Sequence, residues 1–277
     1  MNFSKIIFGI CLLCCSISVA FAETDFSEID EEILDNPPGN ETKSNKEKQD
    51  KYLKLEREGI KVYVYSSKNS AIGTFKAITH IKASLDSILS VMMNNESCAE
   101  WIHGCDKSFV IKNISFNERY HYQICTIPFP FKNRDFIFHS LMQQDPVSKA
   151  VTITISSVPE YCNNNQSEQC IKANQSELLR VRKSIGTYKL EPDQSGTKIT
   201  WIQHTDPGGN LPGWLVNQFV KNTPYQSLKK LAEKANEEQY KHAKLIYNID
   251  GVAIAFNNTP EKQEFNMAND FGLAKTF

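Results

Sequence analysis

His204 and Asp206 lie two residues apart at the end of an alternating run from Thr197 to Thr205. An extended strand would turn both side chains to one face. An imidazole beside a carboxylate can pass a proton, so the pair is a candidate general acid/base. The plainer reading is a strand end followed by a turn. Asp206-Pro207-Gly208-Gly209 is loop chemistry, because proline fixes φ and glycines reach backbone angles that other residues avoid. Gly208-Gly209 ahead of a helix could cradle an anion, but no Lys-Ser/Thr follows, which favours a turn. The chain also has no G-x-S-x-G, no G-x-x-x-x-G-K-[ST] and no G-x-G-x-x-G. No catalytic residue is therefore assigned.

Two arginines carry the other chemistry. Arg134 and Arg182 each stand in an apolar strand context. A buried guanidinium needs a carboxylate or a ligand head group, since an unpaired buried charge costs several kcal/mol. The structural alternative is an ion pair. Asp135 alternates to the opposite face from Arg134, so the partner would be Glu118 or Glu177.

The chain has eight cysteines, of which Cys11, Cys14 and Cys15 fall in an N-terminal apolar run. That run follows Lys5 and ends in Ala20-Phe21-Ala22, the pattern of a secretory signal cut after Ala22. Residues 1–22 are thus read as a signal peptide, and the mature chain is expected in the periplasm or secreted. An exported chain meets an oxidising compartment, so the close pairs Cys98/Cys105 and Cys162/Cys170 are disulfide candidates. Cys125 is left as a buried free thiol. Zinc is the competing use, but there is no paired C-x-x-C and the six histidines are scattered, so no metal and no cofactor is expected. A formal net charge of −1 argues against a nucleic-acid partner.

The elements that must position these residues follow. Residues 23–44 are polar and acidic and read as a disordered linker. One domain is expected over 45–240, and no role is assigned to 241–277. A helix around 45–57 precedes strands at 60–65 and 74–81, joined by a turn at Lys68-Asn69-Ser70. Leu85, Ile88, Leu89 and Met92 share one helical face, and a short helix runs on through Trp101. Strand-like runs follow at 107–116, 118–127, 134–144, 149–158, 178–190 and 197–205. Apolar spacing then predicts a helix over 211–239, kinked or in two pieces at Thr223-Pro224. Consecutive strands with segregated helices make the fold class α+β with an antiparallel sheet. Such a sheet curls, the terminal helix covers its concave face, and the space between suits an apolar ligand.

Four segments resemble one known family. Pro128-Phe129-Pro130-Phe131-Lys132-Asn133-Arg134-Asp135-Phe136 is similar to the "P-x-P…x-R-D-F/Y" strand of START domains, the StAR-related lipid-transfer family. Val181-Arg182 with Gly186-Thr187-Tyr188-Lys189-Leu190-Glu191-Pro192 resembles its "V-R…G-x-W-x-L-x-P" strand, with Tyr188 where tryptophan is usual. Asp206-Pro207-Gly208-Gly209 through Leu211, Pro212 and Trp214-Leu215-Val216-Asn217 resembles its last loop and lid helix. Cys98-x-x-Trp101-x-x-x-Cys105 resembles the "W-x-x-x-C" segment of exported bacterial members. The resemblance implies a helix-grip, Bet v 1-like fold, with a curved antiparallel sheet around the C-terminal helix and an internal tunnel. It implies binding and transfer of one lipid or other hydrophobic molecule, without covalent chemistry. A polyketide-cyclase, aromatase-like or hydrolytic enzyme using the same cavity is the alternative. Ligand contacts are expected from Trp101, Phe131, Arg134, Arg182, His204, Trp214, Leu215 and Phe219, in a monomer that touches membranes transiently.

Overall fold

The computed structural model describes residues 51–66, 73–249 and 251–257. The signal segment, the linker and the turn at Lys68-Asn69-Ser70 lie outside the described residues. The described residues open with strands β1 (Leu53–Arg57) and β2 (Ile60–Ser66), paired antiparallel. Glu58 and Gly59 join them with φ of 52° and 74°, the positive values a two-residue I′ turn needs. In its described part, the helix expected over 45–57 is therefore corrected to a strand. Leu53 and Leu55 alternate with Lys54 and Glu56, and pairing with β2 overrides the helical propensity of Lys, Leu and Glu.

Strand β3 (Gly73–Ile81) leads to helix α1 (Leu85–Met93), whose N-cap Ser84 accepts from the Ser87 N–H at 3.2 Å. A 3-10 turn at Asn95–Ser97 runs into helix α2 (Cys98–Trp101). Four strands then meander: β4 (Cys105–Ser115), β5 (Glu118–Cys125), β6 (Arg134–Gln144) and β7 (Val151–Ser157). Helix α3 (Glu168–Asn174) and the short strand β8 (Leu179–Arg180) precede β9 (Lys183–Asp193) and β10 (Gly196–Asp206). Helix α4 (Gly213–Lys234), helix α5 (Glu238–Lys241) and strands β11 (Leu245–Tyr247) and β12 (Ala253–Phe256) end the described chain.

The main sheet has the order β1-β2-β3-β10-β9-β7-β6-β5-β4, with β8 also on β6. Every neighbouring pair is antiparallel except β6–β8. The last long strand closes on the first hairpin, since β10 pairs with β3 from Thr197↔Ile81 to Thr205↔Gly73. The run expected at 178–190 divides in two. Leu179 and Arg180 follow β6 in parallel, and the chain then crosses to pair with β10 and β7.

Helix α4 is one continuous helix through the buried Pro224. Its buried face carries Leu215, Val216, Tyr225, Leu228 and Leu231, the last two fully enclosed and each worth ~1.5–3 kcal/mol of burial. Gly73 lets the helix lie close to β3, because a Cβ there would come within 2.3 Å of Val220 Cγ1. The segment beyond 240 joins the same core. Tyr240, Ala243, Leu245, Ala253 and Phe256 pack into it, and Phe256 meets Phe116 edge-on at 5.5 Å. Ser87 Oγ donates to the carbonyls of Ala235 and Tyr240, 2.8 and 2.7 Å away, which anchors that end on α1.

Disulfides join Cys98 to Cys105 and Cys162 to Cys170, and Cys125 is a free thiol. The second bridge belongs to an outer layer, where Cys162, Cys170 and Ala173 pack on Ile111, Tyr122 and Ile137. No helix among the described residues is long and apolar enough to cross a membrane.

Candidate functional site

The inner face of the curled sheet and helix α4 enclose a cavity of about 260 Å³. Strand alternation decides what lines it. From β5 come Arg119, His121, Gln123 and Cys125, and from β6 Arg134, Phe136, Phe138, Ser140 and Met142. Strand β10 contributes Trp201, Gln203 and Thr205, and α4 contributes Val216, Phe219 and Val220. The middle is aromatic and aliphatic. Tyr188 stacks on Trp201 at 4.8 Å, Phe75 meets Trp201 edge-on at 4.8 Å, and Phe136 stacks on Phe138 at 4.8 Å.

A polar group stands at each end. At one end, Arg134 is buried and forks onto the loop that leads into α4. Its Nε donates to the Pro207 carbonyl at 2.9 Å and its Nη2 to the Gly208 carbonyl at 2.8 Å, with Nη1 on the Lys132 carbonyl. The loop suits this role. Asp206 Oδ1 accepts from the Gly208 N–H at 2.9 Å, and Gly208 and Gly209 have φ of 62° and 67°, which a side chain would strain. The two segments resembling family motifs thus meet in space, Arg134 of the strand holding the Asp-Pro-Gly-Gly loop.

At the other end, Arg119 donates through Nη1 to the Met93 carbonyl at 2.7 Å and to Asn95 Oδ1 at 2.9 Å. Burial lowers its pKa to about 10. His121, on the same strand face, lies 3.2 Å by Nδ1 from Ser140 Oγ. Burial, with the charge on Arg119 and the nearby His139, pushes its pKa down to about 3. His121 is therefore neutral at pH 7 and too weak a base to activate Ser140. Burial also raises the Cys125 thiol to about 11, which keeps it protonated.

Of the residues expected to contact a ligand, Trp101, Arg134 and Phe219 line the cavity. Arg182 does not. It lies on the surface with its side chain 78% exposed and pairs with Glu160 at 2.9 Å, so its expected role is corrected. The buried pair on that side is Arg180 with Asp135 at 2.9 Å, and Tyr122 donates to the same carboxylate at 3.0 Å. The carboxylate partners expected for Arg134 are replaced by backbone carbonyls, and Glu118 sits 2.8 Å from His139. His204 is corrected too. It alternates to the face away from Trp201, Gln203 and Thr205, with Nδ1 2.7 Å from Thr74 Oγ1, while Asp206 closes its own turn. Leu215 is buried with Leu211 and Val216, and Phe131 packs against that cluster beside the cavity. Trp214 is 66% exposed and Phe129 is 96% exposed. The sequence reading missed Arg119 and His121. The signal was the polar alternation Arg119-x-His121-x-Gln123, masked by Tyr120, Tyr122 and Ile124 on the other face. Among the described residues, no cluster of three His, Cys, Asp or Glu could hold a metal ion.

The sequence model of the START domain matches residues 41–239. A protein of Pseudomonas aeruginosa without an assigned function is 27% identical over 186 residues, covering 67% of this chain and 86% of its own length. The phosphatidylcholine transfer protein of Rattus norvegicus is 23% identical over 180 residues, 61% of this chain and 76% of that protein. Among solved structures, the STAR-related lipid transfer protein fragment of Xanthomonas axonopodis aligns with a TM-score of 0.57 and 29% identity, covering 67% of this chain and 98% of that one. Human STARD10 shares the fold with a TM-score of 0.54 at 19% identity, over 71% of this chain and 80% of its own.

Proposed function

The chain belongs to the START-domain family, and from that premise we propose that it binds one lipid or other hydrophobic molecule beneath α4 and carries it without covalent chemistry. The observation behind this reading is the cavity itself: an apolar middle between sheet and helix with a polar group at each end, the form of a site for an amphiphile. Relatives named as lipid or phosphatidylcholine transfer proteins support a lipid as the ligand class. Binding would rest on burial of the apolar chain, at roughly 25 cal/mol per Å².

Exchange would occur at a membrane surface, in a monomer with no nucleic-acid partner. The exposed Phe129 and Trp214 belong to two segments that meet where Phe131 packs on Leu211, Leu215 and Val216. Aromatic side chains beside a cavity mouth suit transient contact with lipid. The two disulfides are compatible with an exported protein, in keeping with the expected cleavage after Ala22.

An enzyme in the same cavity is the second reading, and the Ser140–His121 contact is the pair it would need. A histidine pushed to about 3 weighs against it. Native mass spectrometry of protein purified without detergent tests the proposal. One co-purifying lipid per chain is the expected result. An empty chain that takes up no lipid from vesicles, or that turns over ester or polyketide substrates, would overturn it.

A further inference from the structure

Arg119 is a partly buried cation that lines the cavity and has an incomplete set of partners. Among the described residues no carboxylate pairs with it, and its Nε and Nη2 have no hydrogen-bond partner. Its Nη1 holds the Met93 carbonyl at the C-terminus of α1, a favourable place for a positive charge, but this uses one of three nitrogens. Next to it in the β4–β5 turn, the Asn117 side-chain oxygen is also buried without a partner, and it too lines the cavity. A carboxamide presents either its oxygen or its NH2 by a half-turn, so Asn117 can donate to the same point. His121 adds no second charge there and Ser140 Oγ can donate. A guanidinium with two free nitrogens beside an unpartnered Asn117, all lining one cavity, is a donor set that an oxyanion completes.

We propose that this end of the cavity receives an anionic head group, a carboxylate or phosphate, carried on a single apolar chain. The inference rests on the carriage reading above and names its ligand class. The charge follows from Arg119 and the single chain from the volume. About 260 Å³ falls just below the ~300–1,000 Å³ of ligand pockets, a size that suits one chain better than two. The chain runs from Arg119 past Phe138 and Phe136 toward α4, so the head enters first.

The test is a titration of the delipidated protein with decanoate, decyl phosphate, decanol and inorganic phosphate at pH 8, read by the fluorescence of Trp101 and Trp201, which line the cavity. Decanoate and decyl phosphate are expected to bind at least tenfold tighter than decanol, and inorganic phosphate far more weakly than decyl phosphate. Arg119→Met should bring the three chain ligands to within about threefold of one another, and Arg119→Lys should restore part of the difference. Decanol binding as tightly as the anions overturns this inference and leaves carriage standing. No binding of any chain ligand overturns both. Inorganic phosphate binding as well as decyl phosphate removes the chain from the proposal. A preserved anion preference in Arg119→Met moves the site elsewhere. If Arg119→Met does not fold, the wild-type ratio and the Lys variant decide.

Discussion

Replacing Arg134 with lysine should loosen the loop that leads into α4. Two of its three carbonyl partners, Pro207 and Gly208, belong to that loop and are held at 2.9 and 2.8 Å by different nitrogens of one planar fork. An ammonium keeps the charge and three donors but puts them on one nitrogen, so it loses the rigid fork that reaches both carbonyls and weakens the hold by about one such bond. A hydrogen bond to a charged group contributes ~1.5–3 kcal/mol. If the bond is present when the cavity is closed and broken when the lid opens, the whole of it lies on the opening barrier. At ~1.4 kcal/mol per factor of ten, ligand exchange should then accelerate roughly ten- to a hundredfold. The assay is transfer of a fluorescent lipid between vesicles, under conditions where release from the protein limits the rate. Thermal stability should fall as well, at roughly 2–4 °C per kcal/mol for a domain of this size. A lowered melting temperature with unchanged exchange would refute the gating role. The entrance would then lie elsewhere, with the segments around Trp101 and Phe131 the next candidates.

Three further outcomes are expected. Cys125 should resist alkylation at pH 8 and react only as the pH approaches about 11, while peptide mapping without reduction finds Cys98 linked to Cys105 and Cys162 to Cys170. His121 is held neutral in the fold, so the folded state binds fewer protons than the unfolded chain; its contribution to stability is full above about 6.5 and is lost as pH falls toward about 3. Melts at pH 7 and pH 5 should therefore differ less in His121→Gln than in wild type, and an equal difference would contradict this. Phe256→Ala should cost ~3–5 kcal/mol in denaturant unfolding, because its ring is buried against Phe116 in the main core. A change below ~1 kcal/mol would mean that the hairpin of β11 and β12 is detached in solution.

The sequence carried most of the fold, since period-two runs place one side chain per residue on a known face. Strands β2 to β7, β9 and β10, helix α1 and the start of α4 lie close to where alternation and apolar spacing put them. It failed where pairing outweighs propensity, as in β1, whose Lys, Leu and Glu read as a helix until β2 lies beside it. It also failed at the C-terminal hairpin. Phe256 shows no local pattern that points to Phe116, a contact 140 residues away in the chain by their numbers. Among the site residues, hydrophobic context suggested that Arg134 is buried, but it could not tell a carbonyl partner from a carboxylate. Arg182 misled because its neighbour Arg180 fills the buried position, two residues apart on the same alternation yet on either side of the crossing from β8 to β9. Arg119 was overlooked because Tyr120, Tyr122 and Ile124 make the other face of β5 the more apolar one, and they pack against the outer layer.

On the proposed function the ligand lies inside, between the sheet and α4. A photoactivatable acyl chain, loaded from vesicles and cross-linked in place, tests it most directly by the peptides that it labels. Labels should fall on cavity residues such as Phe136, Phe138, Trp201 and Phe219, at no more than one ligand per chain. Labels confined to the exposed Phe129, Trp214 and Ile249, with none in the cavity, would rule out an internal site.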